Sequence, residues 1–179
     1  RVFTLICRFP LKTLVSNGVR ILVHLDDWII WADSHARAVR DTIQVIQTLT
    51  RLGFILNKTK SSVVPTQSLT WLGIRWNAKE GRCGLTEEFA QSITVKAKRI
   101  LSLGRVSRRE WESLMGKISF ACQVLQERSL DFSPMARPQL LPKAQRDVKV
   151  RVPRVLLESL QPWLEWEPLT TSVPLRSPI

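Results

Sequence analysis

In residues 20–32, RILVHLDDWIIWA, apolar positions alternate on both sides of an Asp-Asp pair: Ile21 and Val23 before it, Trp28, Ile30 and Ala32 after it. This period of two, rich in β-branched and aromatic residues, predicts a β-hairpin. The turn falls on Leu25-Asp26-Asp27, where aspartate carboxylates can bond nearby backbone N–H groups. The period then lengthens. Val39, Ile43, Ile46, Leu49 and Leu52 recur three or four apart and predict an amphipathic helix, capped by Asp33 or Ser34 and closed by Gly53. FILN (residues 54–57) and SSVV (61–64) predict short strands around the polar turn NKTK, and SLTWLGIRWN (68–77) a further strand beyond Pro65.

From Leu85 the pattern is helical. Thr86 caps a helix turning Phe89, Ile93, Ile100 and Leu103 inward, closed by Gly104. Ser107 and Glu110 have capping-box spacing and open a second helix with Trp111, Leu114, Ile118, Cys122 and Leu125 on one side. The two helices predict an antiparallel pair. Prolines 134, 138, 142, 153 and 162 then predict an irregular tail with a short helix near Arg154–Leu160. The whole reads as an α+β fold: an antiparallel sheet with a packed helix over residues 1–84, a helical segment over 85–130 and a largely irregular stretch over 131–179.

Composition narrows the class. With 179 residues and 44% apolar content the chain can bury a core, and no apolar run is long enough to span a bilayer. The N-terminal stretch lacks a signal-peptide cleavage pattern, and Arg1 does not read as a natural start. Cys7, Cys83 and Cys122 have no metal-ligand spacing and read as reduced packing residues of an intracellular protein, in cytoplasm or nucleus. The net charge of +12 points to a polyanionic partner, nucleic acid first and an anionic membrane surface second. Residues 91–155 carry 14 Lys/Arg against 5 Asp/Glu, so the charge concentrates on the helical part.

Two carboxylates on one turn repel unless a cation lies between them. Hard Mg²⁺ is suited to that role, because it takes one or two carboxylates together with substrate phosphate oxygens. Paired ions of this kind serve phosphoryl transfer. The order of segments strengthens the reading. HLDDWII (24–30) resembles the Asp-Asp motif of the reverse-transcriptase palm, LGFILNKTKS (52–61) the motif after it, and LTWLGIRWN (69–77) the primer grip. RVFT (1–4) is similar to the end of the preceding motif; GKISFACQVL (116–125) and WLEWEPLTTSVPL (163–175) resemble the thumb and the connection to ribonuclease H in DIRS-like retrotransposons.

That resemblance implies a partial palm followed by a helical thumb, from an RNA-directed DNA polymerase that works on a template with primer and deoxynucleoside triphosphates. It implies that Asp26 and Asp27 bind Mg²⁺ (Mn²⁺ as a substitute) and that Lys60, or its neighbour Lys58, protonates the pyrophosphate. Trp71, Leu72 and Gly73 correspond to the primer grip, and Phe3 to the nucleotide face or to core packing. The thumb cations Lys96, Lys98, Arg99, Arg105, Arg108, Arg109 and Lys117 would neutralise backbone phosphates without reading sequence. A ribonuclease H domain is expected downstream. Trp111, Trp163 and Trp166 read as packing residues. His24 stands where the family usually has Tyr, and the motif supplying the remaining metal-binding aspartate lies outside these residues, so the chain by itself is not expected to polymerise DNA. The rival reading is a catalytically dead remnant binding nucleic acid or protein. A basic adaptor without polymerase ancestry is a third, and it puts Asp26 and Asp27 on separate surfaces.

Overall fold

In the computed structural model, which describes residues 2–125, 147–165 and 167–175, α-helices and short antiparallel strands mix as an α+β fold. Two compact units divide between Gln67 and Ser68.

The first unit opens with a helix that the sequence pattern did not announce, α1 (Val2–Ser16). Cys7, Pro10 and Leu14 sit three and four apart and form its buried face. The helix closes where Gly18, at φ 79°, donates to Val15 O and Val19 donates to Leu14 O, a Schellman ending. Strands β1 (Ile21–His24) and β2 (Asp27–Ile30) then pair antiparallel, His24 opposite Asp27 and Ile21 opposite Ile30. The turn is thus two residues, Leu25-Asp26, and Asp27 already belongs to the strand. α2 (His35–Arg51) follows, and Ser34 Oγ, the cap, accepts from Arg37 N.

Its buried face is rotated from the expected one. Asp41, Val45 and Leu49 are inside, while Ile43 and Leu52 are exposed. Gly53 ends the helix as expected: its N–H reaches Thr50 O, and Phe54 N–H reaches Leu49 O. The core of this unit is small: Leu14, Val19, Ile21, Val45 and Leu49, with Val23, Trp28, Ile30 and Phe54 against it. Neither FILN nor SSVV forms a strand. Asn57 Oδ1 accepts from Thr59 N, Thr59 Oγ1 and Lys60 N, which winds residues 57–60 into a turn, and Ile55, almost wholly exposed, meets no partner strand.

The second unit is built on a sheet in the order β3-β4-β5-β8: β3 (Ser68–Trp71), β4 (Ile74–Asn77), β5 (Arg82–Leu85) and β8 (Val173–Pro174). The stretch expected as one strand is therefore a hairpin. The chain folds back at Leu72-Gly73, with φ of 52° and 75°, and Trp71 faces Ile74 across the turn. Positive φ at both central residues is the type I′ turn, whose twist matches that of the flanking strands. Register puts Leu69, Trp71, Ile74, Trp76, Cys83 and Leu85 on one sheet face.

Helix α3 (Glu87–Leu103) is capped by Thr86 and closed by Gly104 in the left-handed region, as expected. Ile93 and Ile100 point inward, Phe89 is half-buried, and Leu103 turns out to solvent because the buried stripe runs through Ala90, Thr94 and Ala97 instead. β6 (Arg105–Ser107) leads into α4 (Arg108–Leu125), through the capping box: Glu110 N donates to Ser107 Oγ, and Ser107 N donates to Glu110 Oε2. Trp111, Leu114, Ile118 and Leu125 are buried; Cys122 is half-buried.

β7 (Lys149–Arg151) pairs with β6. The short α5 (Arg154–Glu158) stands where the tail predicted a helix, and Trp163 fills the same core. Trp166 and prolines 134, 138 and 142 lie outside the described residues. β8 closes the sheet edge on β5. Gly84 suits that close approach, because a Cβ there would come within 3.3 Å of Ser172 Cα, tighter than most such contacts.

Candidate functional site

The acidic hairpin is placed by its own alternation. Ile21, Val23, Trp28 and Ile30 face the core, so Leu22, His24, Asp27 and Ile29 take the opposite face. Asp26 and Asp27 are both exposed at the tip, and neither carboxylate makes an ion pair or hydrogen bond among the described residues. The bend joins two strands and is not part of a helix. Its first central residue, Leu25, holds φ at 55° and is 58% exposed, a conformation that side chains other than Gly, Asn and Asp rarely adopt. Asp33 makes the contrast. Arg20 pairs with it at 2.6 Å and holds its carboxyl below the usual carboxylate range, so this acid is neutralised by the protein itself.

Two adjacent carboxylates without a cationic neighbour suit the first two ligands of a hard divalent cation. Among the described residues no group of three His, Cys, Asp or Glu side chains gathers to hold a metal. Lys58 and Lys60 ride on the exposed Asn57 turn, and no hydrogen bond or ion pair joins either side chain to the aspartates. Asp26, Asp27 and Lys60 fall in the first unit, and Trp71, Leu72 and Gly73 in the second.

Trp71-Leu72-Gly73 forms the bend of the β3–β4 hairpin. Gly73 O accepts from Thr86 N at 3.1 Å, and a Cβ on Gly73 would touch the Phe89 ring at 3.5 Å, which ties the bend to the start of α3. Trp71 Nε1 is buried and has no hydrogen-bond partner among the described residues. Phe3, in α1, packs edge-to-face on Phe54 with ring centroids 6.3 Å apart and stays 46% exposed.

The cations of α3, β6 and α4 divide into groups that sequence alone does not separate. Arg99 pairs with Glu110 at 3.5 Å, Arg108 with Glu112 at 3.0 Å and Arg109 with Asp147 at 3.9 Å. Lys98 and Arg105 are exposed. Lys96 and Lys117 meet no carboxylate among the described residues. Lys96 Nζ donates to Ser113 Oγ at 2.8 Å, and Lys117 Nζ donates to Ser92 Oγ at 2.5 Å. Lys117 also lies 5.6 Å from the Phe89 ring centroid. Burial, then the nearby Lys96 charge, pushes the Lys117 ammonium below the usual lysine range. The two serines were missed in the sequence; the signal was a repeated Ser-x-x-x-Lys spacing, Ser92/Lys96 and Ser113/Lys117.

No described helix is long and apolar enough to cross a membrane. Compared with protein-family models and with curated proteins, the chain matches none.

Proposed function

We propose that this chain is the palm end and thumb of a retroelement reverse transcriptase, whose parent reaction is templated attack of a primer 3′-oxygen on the α-phosphate of a deoxynucleoside triphosphate. The observation that carries the reading is the pair of exposed, unneutralised carboxylates, Asp26 and Asp27, at the tip of a tight hairpin. In this reading the two aspartates hold Mg²⁺. A bound divalent cation supplies charge neutralisation at the phosphate oxygens and lowers the pKa of the attacking hydroxyl. Lys60 hands a proton to the departing pyrophosphate, Trp71, Leu72 and Gly73 position the primer end, and the basic helices hold the duplex. The intact enzyme needs the further palm aspartate that these residues do not contain.

Primer extension in the longest reading frame that contains this chain tests it. Asp26→Asn should lower the rate by about 10³-fold, since a lost metal ligand removes several kcal/mol of transition-state stabilisation. Equal rates in both proteins would remove Asp26 from the mechanism. On the chain itself, Mn²⁺ should broaden the amide signals of Leu25 to Trp28 in wild type and not in Asp26→Asn/Asp27→Asn.

A second reading, a non-catalytic nucleic-acid-binding module, is favoured by one observation only: two lysines on α3 and α4 that no carboxylate neutralises. Under that reading duplex binding persists in the double aspartate variant and no frame containing the chain extends a primer.

A further inference from the structure

We infer that Lys96, Lys117, Ser92 and Ser113 form one composite subsite for a single backbone phosphate of a nucleic-acid duplex, an inference that rests on the nucleic-acid reading above. The residues come in two matched halves. Ser92 and Lys96 lie one helical turn apart on α3, Ser113 and Lys117 one turn apart on α4. Because the helices run antiparallel, each lysine meets the serine of the other helix: Lys96 with Ser113, Lys117 with Ser92. The result is a brace of two ammonium groups and two hydroxyls across the α3–α4 seam.

Its chemistry is that of an anion site. Ammonium groups are donors only, so each hydroxyl here is used as an acceptor by a lysine. Ser92 Oγ also donates to Phe89 O at 2.6 Å, which fixes it against its own helix. Neither ammonium has a carboxylate partner among the described residues, although Glu110 and Glu112 stand on the same helix α4 and pair with Arg99 and Arg108 instead. A protein that needed only to join the helices would gain more from a lysine–carboxylate pair. An approaching phosphate oxygen relieves the mutual repulsion and takes charge-assisted hydrogen bonds from both ammonium groups. The groups that face Lys117 are Lys96, Ser92 and the Phe89 ring from α3, with Ser113 one turn away on α4. Ser113 is exposed, and Ser92, Lys96 and Lys117 are half-buried.

A shared phosphate makes a prediction that separate contacts do not. Affinity of the full chain for a short RNA–DNA duplex is measured by fluorescence anisotropy over a range of salt. Each neutralised phosphate contributes about 0.9 to the slope of log K against log salt. The double variant K96Q/K117Q should lower the slope by about 1, the value for one phosphate rather than two, and weaken binding severalfold. K96R/K117R should restore the slope, which a merely structural brace of lysine and serine would not require. R154Q, whose guanidinium pairs with Glu158 at 2.8 Å away from α3 and α4, should change the slope little.

A slope loss near 2 for K96Q/K117Q, or no loss in it while wild type binds the duplex, overturns the shared subsite and leaves the nucleic-acid reading standing. Inorganic phosphate is the second arm, followed by the side-chain NMR signals of Lys96 and Lys117. If phosphate shifts those signals while wild type binds no duplex, the site serves a small phosphate compound, and both the duplex assignment and the proposed function fall. If neither ligand acts on wild type, both fall as well.

Discussion

At the scale of single residues, the two hairpin bends place leucine where the backbone favours glycine or asparagine. Leu25 has φ 55° and Leu72 has φ 52°. A left-handed conformation costs an ordinary residue roughly 1–2 kcal/mol. Leu25 is 58% exposed, so little packing offsets that cost. Leu25→Asn should therefore raise stability by about 0.5–1 kcal/mol, read as a higher urea midpoint with an unchanged slope. Strain of this kind gathers at working sites. If the Leu25 side chain belongs to the site, the same variant should weaken Mn²⁺ broadening at the tip or primer extension in the parent frame. A lower midpoint would show that the leucine packs better than its exposure indicates. Gly73 makes the opposite case. Alanine there would be held at positive φ, with the Phe89 ring at ordinary contact distance, so Gly73→Ala should cost about 1–2 kcal/mol by chemical denaturation.

At the scale of elements, the start of α4 depends on one reciprocal pair. Ser107→Ala removes the acceptor for Glu110 N–H and should cost about 1 kcal/mol. The pH dependence follows from Glu110. The Ser107 backbone N–H bonded to its carboxylate holds the pKa below the usual range, against the opposing effect of burial. A depressed carboxyl stabilises the fold above its unfolded-state pKa of about 4.3 and loses that contribution as pH falls through the folded value. The stability gap between wild type and Glu110→Gln should be level at neutral pH and close in acid; a gap that widens in acid contradicts the assignment. This element was legible because a capping box is local: spacing alone identifies it. So were α2 and α3, whose caps and closing glycines are local signals too. Elements that depend on distant partners were not legible. FILN has strand-like composition but no neighbour to pair with, and β8 forms only by pairing with β5, far back in the sequence. The β3–β4 bend was hidden because Leu-Gly is a weaker turn signal than Asn-Gly, so the stretch read as one strand. α1 was obscured by apolar residues on every side of it and by Pro10 within it. The acidic tip was readable, since apolar strands flanked the charges; the Ser92–Lys117 brace was not, since counting cations ignores the hydroxyls they bond.

At the scale of the whole molecule, the two units differ sharply in what they bury. Among the described residues the second unit has a continuous core of 18 buried residues reaching from Cys83 to Val173, with Trp111 and Trp163 nearly inaccessible. The first has a cluster of five buried residues and leaves Phe9, Leu22, Ile43 and Ile55 among its exposed apolar side chains. Net stability is a small surplus of burial over conformational entropy, and domains of about 60 residues lie near the limit of folding alone. Residues 68–179 expressed alone should therefore unfold in urea as one cooperative transition, and Leu114→Ala should lower its stability by about 2–5 kcal/mol, as for other large-to-small changes in a packed core. Residues 1–67 alone should show no cooperative transition and should bind a hydrophobic dye. In the full chain the same imbalance predicts faster amide exchange in α1 and the β1–β2 hairpin than in α3 and α4. A cooperative transition in the isolated first unit would mean that its five-residue core suffices, and that the apolar surface it exposes is tolerated by the fold without any covering partner.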